Sequence, residues 1–173
     1  MKLNKELAAA AKAKGICKEW YDRLQHTEDK HALMQMFLKG IDFCISEEYP
    51  APRFFRPFDG IRQQYGIFRD ELIQAENSKY VAAFGKCEGT AKYTDYEIGQ
   101  VFVKHESKLT ITASGNSFVM VDVFDNADIE ITAENDAKVC VNKYGGNVTT
   151  SEHGNAVIKV IHKQSKTYQY GKG

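Results

Sequence analysis

The chain has 173 residues, and its 23 Lys and Arg balance 23 Asp and Glu to a formal net charge of zero. This length predicts one domain, or one domain with a helical appendage, that can bury a hydrophobic core. Zero net charge argues against a protein whose main task is non-specific nucleic-acid binding, and against a polybasic membrane binder.

The sequence predicts no membrane-spanning segment, signal peptide, disulfide framework or metal site. No stretch approaches the roughly 18 apolar residues of a spanning helix, and the N-terminus lacks the apolar run of a secretory signal. The cysteines form no C-x-x-C pair and lack the Cys/His spacing of zinc ligands, so we expect free thiols, no cofactor and a reducing, cytoplasmic compartment. They are Cys17, Cys44, Cys87 and Cys140.

Residues 1–49 are predicted to form a helical segment. Alanines and charged helix formers fill residues 8–13, and the aromatic residues of 17–24 share one face of a second short helix. Apolar residues then recur every three or four positions over residues 28–47, which predicts one amphipathic helix with Thr27 as its N-cap.

Residues 50–80 contain all three prolines and are predicted to form a linker with a short helix at residues 59–65. Arg53, Arg56 and Arg62 stand among phenylalanines in this segment. A basic segment interleaved with aromatic rings can bind nucleic acid, which is one alternative function. The other interpretation is a solvated face on which the arginine stems cover the rings.

Residues 81–173 are predicted to form a β-solenoid. Short strands with alternating Val or Ile run from residue 107 onward, and Gly or Asn turn residues return about every ten residues. Residue types match best at a spacing of twenty, which predicts coils of about twenty residues with two strands each. The same pattern places Thr149 and Ser151 at inward positions, as a weak polar rung. The alternative architecture is an antiparallel meander.

The predicted fold is therefore α+β, with the N-terminal helical segment capping a short C-terminal parallel β-helix. The ends of such a helix have unpaired strand edges and need caps. The tail at residues 166–170 either covers the last coil or leaves it open for self-association.

Charge is distributed unevenly along the predicted coils. Residues 122–136 contain six acids and no base, whereas residues 138–172 contain six lysines and one acid. Stacking would make the earlier coils negative and the later coils positive, which predicts a complementary interface between copies, head-to-tail or antiparallel. The residues expected on this surface are Asp122, Asp128, Glu130, Lys159, Lys163 and Lys166.

No catalytic constellation is recognisable: G-x-S-x-G, P-loop and H-E-x-x-H patterns are all missing from the sequence. We therefore predict no catalytic residues and a non-enzymatic protein. A second alternative is carbohydrate binding or processing on a solenoid face, with Phe124 and Tyr144, twenty residues apart, as stacking aromatics. The same spacing also suits a plain packing ladder.

Three segments carry a resemblance, namely GICKEWY at residues 15–21, GIDFC at 40–44 and VCVNKYGG at 139–146. The chain resembles an uncharacterised family found in phages and mobile elements of gut anaerobes, and the likeness covers most of its length. These motifs are not catalytic, and no functional residues carry over. The resemblance implies a small protein that binds and modulates a host or phage protein, for example a defence inhibitor or a phage structural component.

Overall fold

The computed structural model describes residues 1–169. By its internal contacts the chain divides into two compact units, one of residues 1–65 with the tail from Thr167, and one of residues 66–166. Within the described residues, no helix has the length and apolar character needed to cross a membrane.

The described part of the first unit contains four α-helices and three 3-10 turns. Its predicted apolar stripe is confirmed as core, since Leu33, Met36, Phe37, Cys44 and Ile45 are all buried. The helices are α1 (Leu3–Ala13), α2 (Lys18–Gln25), α3 (Lys30–Lys39) and α4 (Ile41–Ser46), and the 3-10 turns are Pro52–Phe54, Arg56–Phe58 and Arg62–Tyr65.

The single helix predicted over residues 28–47 is wrong in two details. Gly40 has φ −106° and ψ 28°, so it ends α3 and begins α4. The N-cap of α3 is Asp29, whose carboxylate accepts a hydrogen bond from the Ala32 N–H at 2.8 Å. Thr27 instead donates to the Arg23 carbonyl at the end of α2. The short helix expected at residues 59–65 is only a 3-10 turn over Arg62–Tyr65.

The second unit is a parallel β-solenoid of about five coils, with two strands and about twenty residues in each coil. The six odd-numbered strands form one sheet, here the odd sheet, and the five even-numbered strands form the even sheet. The strands are β1 (Ile67–Arg69), β2 (Leu72–Glu76), β3 (Tyr80–Phe84), β4 (Glu88–Tyr93), β5 (Ile98–Val103), β6 (Lys108–Ala113), β7 (Phe118–Val123), β8 (Asp128–Ala133), β9 (Lys138–Lys143), β10 (Asn147–Glu152) and β11 (Val157–His162).

The register confirms the predicted twenty-residue coil. Val101 pairs with Val121, which pairs with Val141, and Ile111 pairs with Ile131. Each of these side chains is at most 1% exposed, because alternate strand residues point into the narrow space between the two sheets. The stacked aliphatic columns are therefore the core of the unit.

The solenoid begins earlier than residue 81. Its first coil, β1 and β2, lies in the segment that was expected to be a linker. Ile67 pairs with Ala82 and Leu72 pairs with Glu88, so this coil is four or five residues shorter than the regular ones. A twenty-residue comparison cannot detect a coil of a different length.

One residue is missing from the corner between β9 and β10. Val148 pairs with Ile129 and Thr150 with Ile131, a spacing of nineteen residues. The inward positions of β10 are therefore Val148 and Thr150, and the prediction that Thr149 and Ser151 point inward is wrong. Gly146 makes the shortened corner possible, with φ +80°.

The corners are joined from coil to coil by side-chain acceptors. His105 and Asp125 follow odd strands at one corner, and both have positive φ. His105 Nδ1 accepts from the Gly85 N–H at 2.9 Å, and the Asp125 carboxylate accepts from the His105 N–H at 3.1 Å. At the other corner, Asn135 accepts from the Gly115 N–H at 3.1 Å. Each corner residue thus satisfies a backbone donor of the coil before it.

Small buried residues stand just before several strands of the solenoid. Replacing one of them, Ser117, is expected to stabilise the protein. Ser117 is 1% exposed and its hydroxyl has no hydrogen-bond partner within the described residues, whereas Ala137 occupies the same place one coil later. We expect Ser117→Ala to raise the free energy of unfolding by about 1 kcal/mol, measured by urea denaturation.

The matched control is Ser107→Ala. The Ser107 hydroxyl donates to the Gly85 carbonyl at 3.0 Å and accepts from the Cys87 N–H at 3.1 Å. Its removal leaves the buried Cys87 N–H without this acceptor, whereas the Gly85 carbonyl still accepts from the Glu106 N–H at 3.0 Å. Stability should therefore fall by about 1–3 kcal/mol. Equal changes for the two serines would contradict this account of the corners.

Candidate interaction surfaces

The arginine and phenylalanine segment does not offer aromatic rings to a ligand. Phe54, Phe55 and Phe58 are 2–7% exposed. The Arg53 guanidinium lies 4.0 Å from the Phe54 ring centroid and bonds to Glu6 at 3.3 Å. The interpretation in which arginine stems cover the rings is the one that this geometry supports, since stacking with nucleic-acid bases needs accessible rings.

The two other arginines of that segment differ in exposure. Arg56 is exposed. Arg62 is 6% exposed, and its guanidinium donates two hydrogen bonds to Asp59 Oδ1, at 3.1 and 2.9 Å. Arg62 is therefore a structural residue of the first unit, and its assignment to an interaction surface is wrong.

Phe124 and Tyr144 form a packing ladder. Their rings are stacked with centroids 4.9 Å apart and an interplanar angle of 11°. Phe124 has no exposed surface, and the buried Lys104 ammonium lies 5.7 Å from its ring centroid. A sugar cannot reach Phe124, so its predicted role as a stacking platform is wrong. Tyr144 is half-buried, and burial together with nearby Asp122 raises its pKa.

The acidic residues that were singled out all lie on one coil, formed by β7 and β8. Asp122 is on the outer face of the odd sheet and accepts a hydrogen bond from Asn142 at 2.9 Å. Asp128 and Glu130 are exposed on the outer face of the even sheet, where they line an open groove of about 300 Å³ with Lys108. The carboxylates therefore face different directions.

The basic residues lie at the C-terminal end of the solenoid. Lys159 is exposed on the outer face of β11, and Lys163 and Lys166 are exposed just after it. The three coils before β7 carry both signs of charge in similar numbers. The predicted change from negative to positive charge along the solenoid axis is therefore confined to its C-terminal part. It lies between the coil of β7 and β8 and the strands that follow that coil.

The outer face of the odd sheet also carries an apolar patch that was not among the predicted surfaces. Ile98 pairs with Phe118, and Met120 lies two residues along the same strand. These side chains are 64%, 39% and 40% exposed. The sequence already indicated this patch, because all three apolar residues stand at outward positions of their strands, where polar residues are expected.

At the C-terminal end of the solenoid, here called the open end, no strand of the described residues lies beyond β10 or β11. Among the described strands, β10 pairs only with β8 and β11 only with β9. The inward side chains Val148, Ile158 and Val160 are half-buried, whereas Val139 and Val141 of the preceding coil are at most 2% exposed. Within the described residues, no strand pairs with the outer edges of β10 and β11. Of the tail expected near it, Tyr170 lies outside the described residues.

The open end also contains a serine and histidine pair. Ser151 Oγ lies 3.1 Å from His153 Nε2, and both residues are exposed. The neighbouring Glu152 does not orient the histidine, because its Oε1 accepts a hydrogen bond from the Ile158 N–H at 3.0 Å. This arrangement lacks the third group that positions a catalytic base.

Comparison of the chain with protein-family models, with curated proteins and with solved structures finds no match.

Proposed function

We propose that the chain is a non-enzymatic protein-interaction module that binds a protein strand at the open end formed by β10 and β11. The observation that carries the proposal is the one-sided pairing of these two strands above a half-buried apolar core. Strand addition to an exposed sheet edge is an established mode of protein recognition, with affinity from main-chain hydrogen bonds.

The edge of β11 is arranged to receive such a strand. Val157 donates its N–H to the Ala137 carbonyl just before β9, and Lys163 donates to the Lys143 carbonyl at the end of β9. The odd-numbered residues of β11 therefore face the preceding coil. Successive residues of a strand point their backbone groups to opposite sides. The even-numbered residues Ile158, Val160 and His162 therefore direct their N–H and carbonyl groups toward the open end.

The partner we propose is a host or phage protein, or another copy of the chain, bound in the cytoplasm. The resemblance to proteins of phages and mobile elements supports this choice, and a defence inhibitor and a phage structural component are both examples of it. The four cysteines are free, which supports a reducing compartment.

Val160→Pro tests the proposal with little effect on the fold. The Val160 N–H points away from β9, so proline removes a donor that the solenoid does not use, and proline is tolerated on such edges. We expect a loss of roughly tenfold in affinity for whatever protein binds there, including another copy. Sedimentation velocity measures self-association, and mass spectrometry measures the proteins retained from a lysate by the immobilised chain.

The control is Val160→Ala, which keeps the N–H and should retain most of the binding. Circular dichroism and thermal unfolding verify that both variants are folded. If the chain neither self-associates nor retains any protein in a manner that depends on the Val160 N–H, the proposed function is wrong.

A further inference from the structure

We infer that the partner at the open end is a second copy of the chain, joined by antiparallel pairing of the two β11 strands around a two-fold axis at Val160. This inference rests on the proposed use of the open end and names its occupant. A two-fold axis makes each residue of one strand meet its counterpart in reverse order, so the pairing is antiparallel.

The register follows from which residues face the edge. Ile158, Val160 and His162 are the edge-facing residues of β11, and Val160 is the middle one. All three take part only when Val160 lies opposite Val160 of the second copy. That pair then exchanges two N–H to carbonyl hydrogen bonds, and Ile158 does the same with His162 of the second copy.

This register continues the core across the junction. The inward side chain of Val160, half-buried in the single chain, packs against its counterpart. On the outer face, Lys159 lies opposite Ile161 of the second copy, and Val157, which is 51% exposed, lies opposite Lys163. The two Lys159 ammonium groups are only diagonal neighbours on solvent-exposed positions, where their repulsion is screened.

Charge complementarity is the feature that favours a second copy. The Glu152 carboxylate lies at the N-terminal end of β11, since it bonds to the Ile158 N–H at 3.0 Å. His162 and Lys163 are exposed at the C-terminal end of the same strand. Antiparallel pairing therefore sets Lys163 beside Glu152 of the second copy, and symmetry repeats this contact.

Glu152 changes partner when the copies join. In the single chain its carboxylate occupies the Ile158 N–H, one of the edge donors. That donor is needed by the His162 carbonyl of the second copy, and the released carboxylate then faces Lys163. Glu152 thus protects the edge in the free chain and binds the second copy in the dimer.

A charge exchange between two variants tests the arrangement. Glu152→Lys would place two lysines at each of the two contacts, and Lys163→Glu would place two glutamates there. We expect either variant alone to dimerise roughly a hundredfold more weakly than the natural chain, because two attractive contacts become repulsive. An equimolar mixture should recover the dimer, since each contact then joins a lysine to a glutamate.

Sedimentation velocity on the two variants and their mixture gives the result. The controls are Glu97→Lys and Lys92→Glu, which make the same charge changes at exposed positions away from the open end. Single variants that remain dimeric, or a mixture that remains monomeric, would overturn the inference. A natural chain that is monomeric but retains another protein through the Val160 N–H would overturn the second copy alone. Loss of both activities would overturn the proposed function as well.

Discussion

Replacing Tyr93 by alanine is expected to lower the free energy of unfolding by about 3–5 kcal/mol. Tyr93 ends β4 and is 1% exposed, with its ring inside the solenoid. The ring fills the space above Gly99, where an added Cβ would collide with it. Its hydroxyl donates to the Ser78 carbonyl at 2.8 Å, and burial raises the pKa of this phenol. Urea denaturation followed by circular dichroism measures the loss.

Two further variants separate the ring from its hydroxyl. Tyr93→Phe should cost only about 1 kcal/mol, since it removes one hydrogen bond and leaves the packing. Gly99→Val should destabilise the natural chain but recover part of the stability lost in Tyr93→Ala, because the valine occupies the emptied space. An equal cost of Gly99→Val in both backgrounds would show that the two positions are not coupled.

Gly146→Ala is expected to lower stability by about 2–5 kcal/mol. Gly146 has φ +80°, where an L residue costs about 1–2 kcal/mol. An alanine Cβ would also collide with the Ala127 carbonyl oxygen, which belongs to the backbone of the preceding coil and cannot rotate away. Relieving that collision adds about 1–3 kcal/mol. Thermal and urea unfolding of the variant measure the sum.

Gly154→Ala is the matched control for Gly146. Gly154 has φ +65°, and an added Cβ would lie 3.4 Å or more from its neighbours. Its replacement should therefore cost only the conformational term of about 1–2 kcal/mol. If both glycine variants lose the same stability, the close approach of coils at the shortened corner has no energetic consequence.

The regular coils were predictable because equivalent positions in successive coils are buried alike and therefore carry similar apolar residues. Ile111 and Ile131 must both point inward, so their spacing records the coil length directly. In the first coil and at the shortened corner, equivalent residues are not twenty positions apart, so this spacing does not identify them. At the corner, Thr149 stands ten residues after Val139, although pairing makes Val148 the inward residue. Pairing depends on contacts between coils, which a fixed sequence period does not contain.

The candidate surface was predictable only where side chains lie on strand faces. Asp128, Glu130 and Lys159 stand at outward positions of the alternation, and each is exposed. Phe124 and Arg62 lie in a corner and a 3-10 turn, where no alternation exists to indicate which side is buried. Their residue types alone led to the prediction that they lie on the surface, and both are buried in the structure.

The hydrogen bonds between corners of successive coils also have a consequence for synthesis on the ribosome. The Gly85 N–H and carbonyl are satisfied by His105 and Glu106 of the next coil, and the His105 N–H and carbonyl by Asp125 and Asn126. A coil that has just left the ribosome is therefore incomplete until about twenty more residues emerge. Folding of the solenoid is thus a templating process, in which each coil is finished only by the coil that follows it.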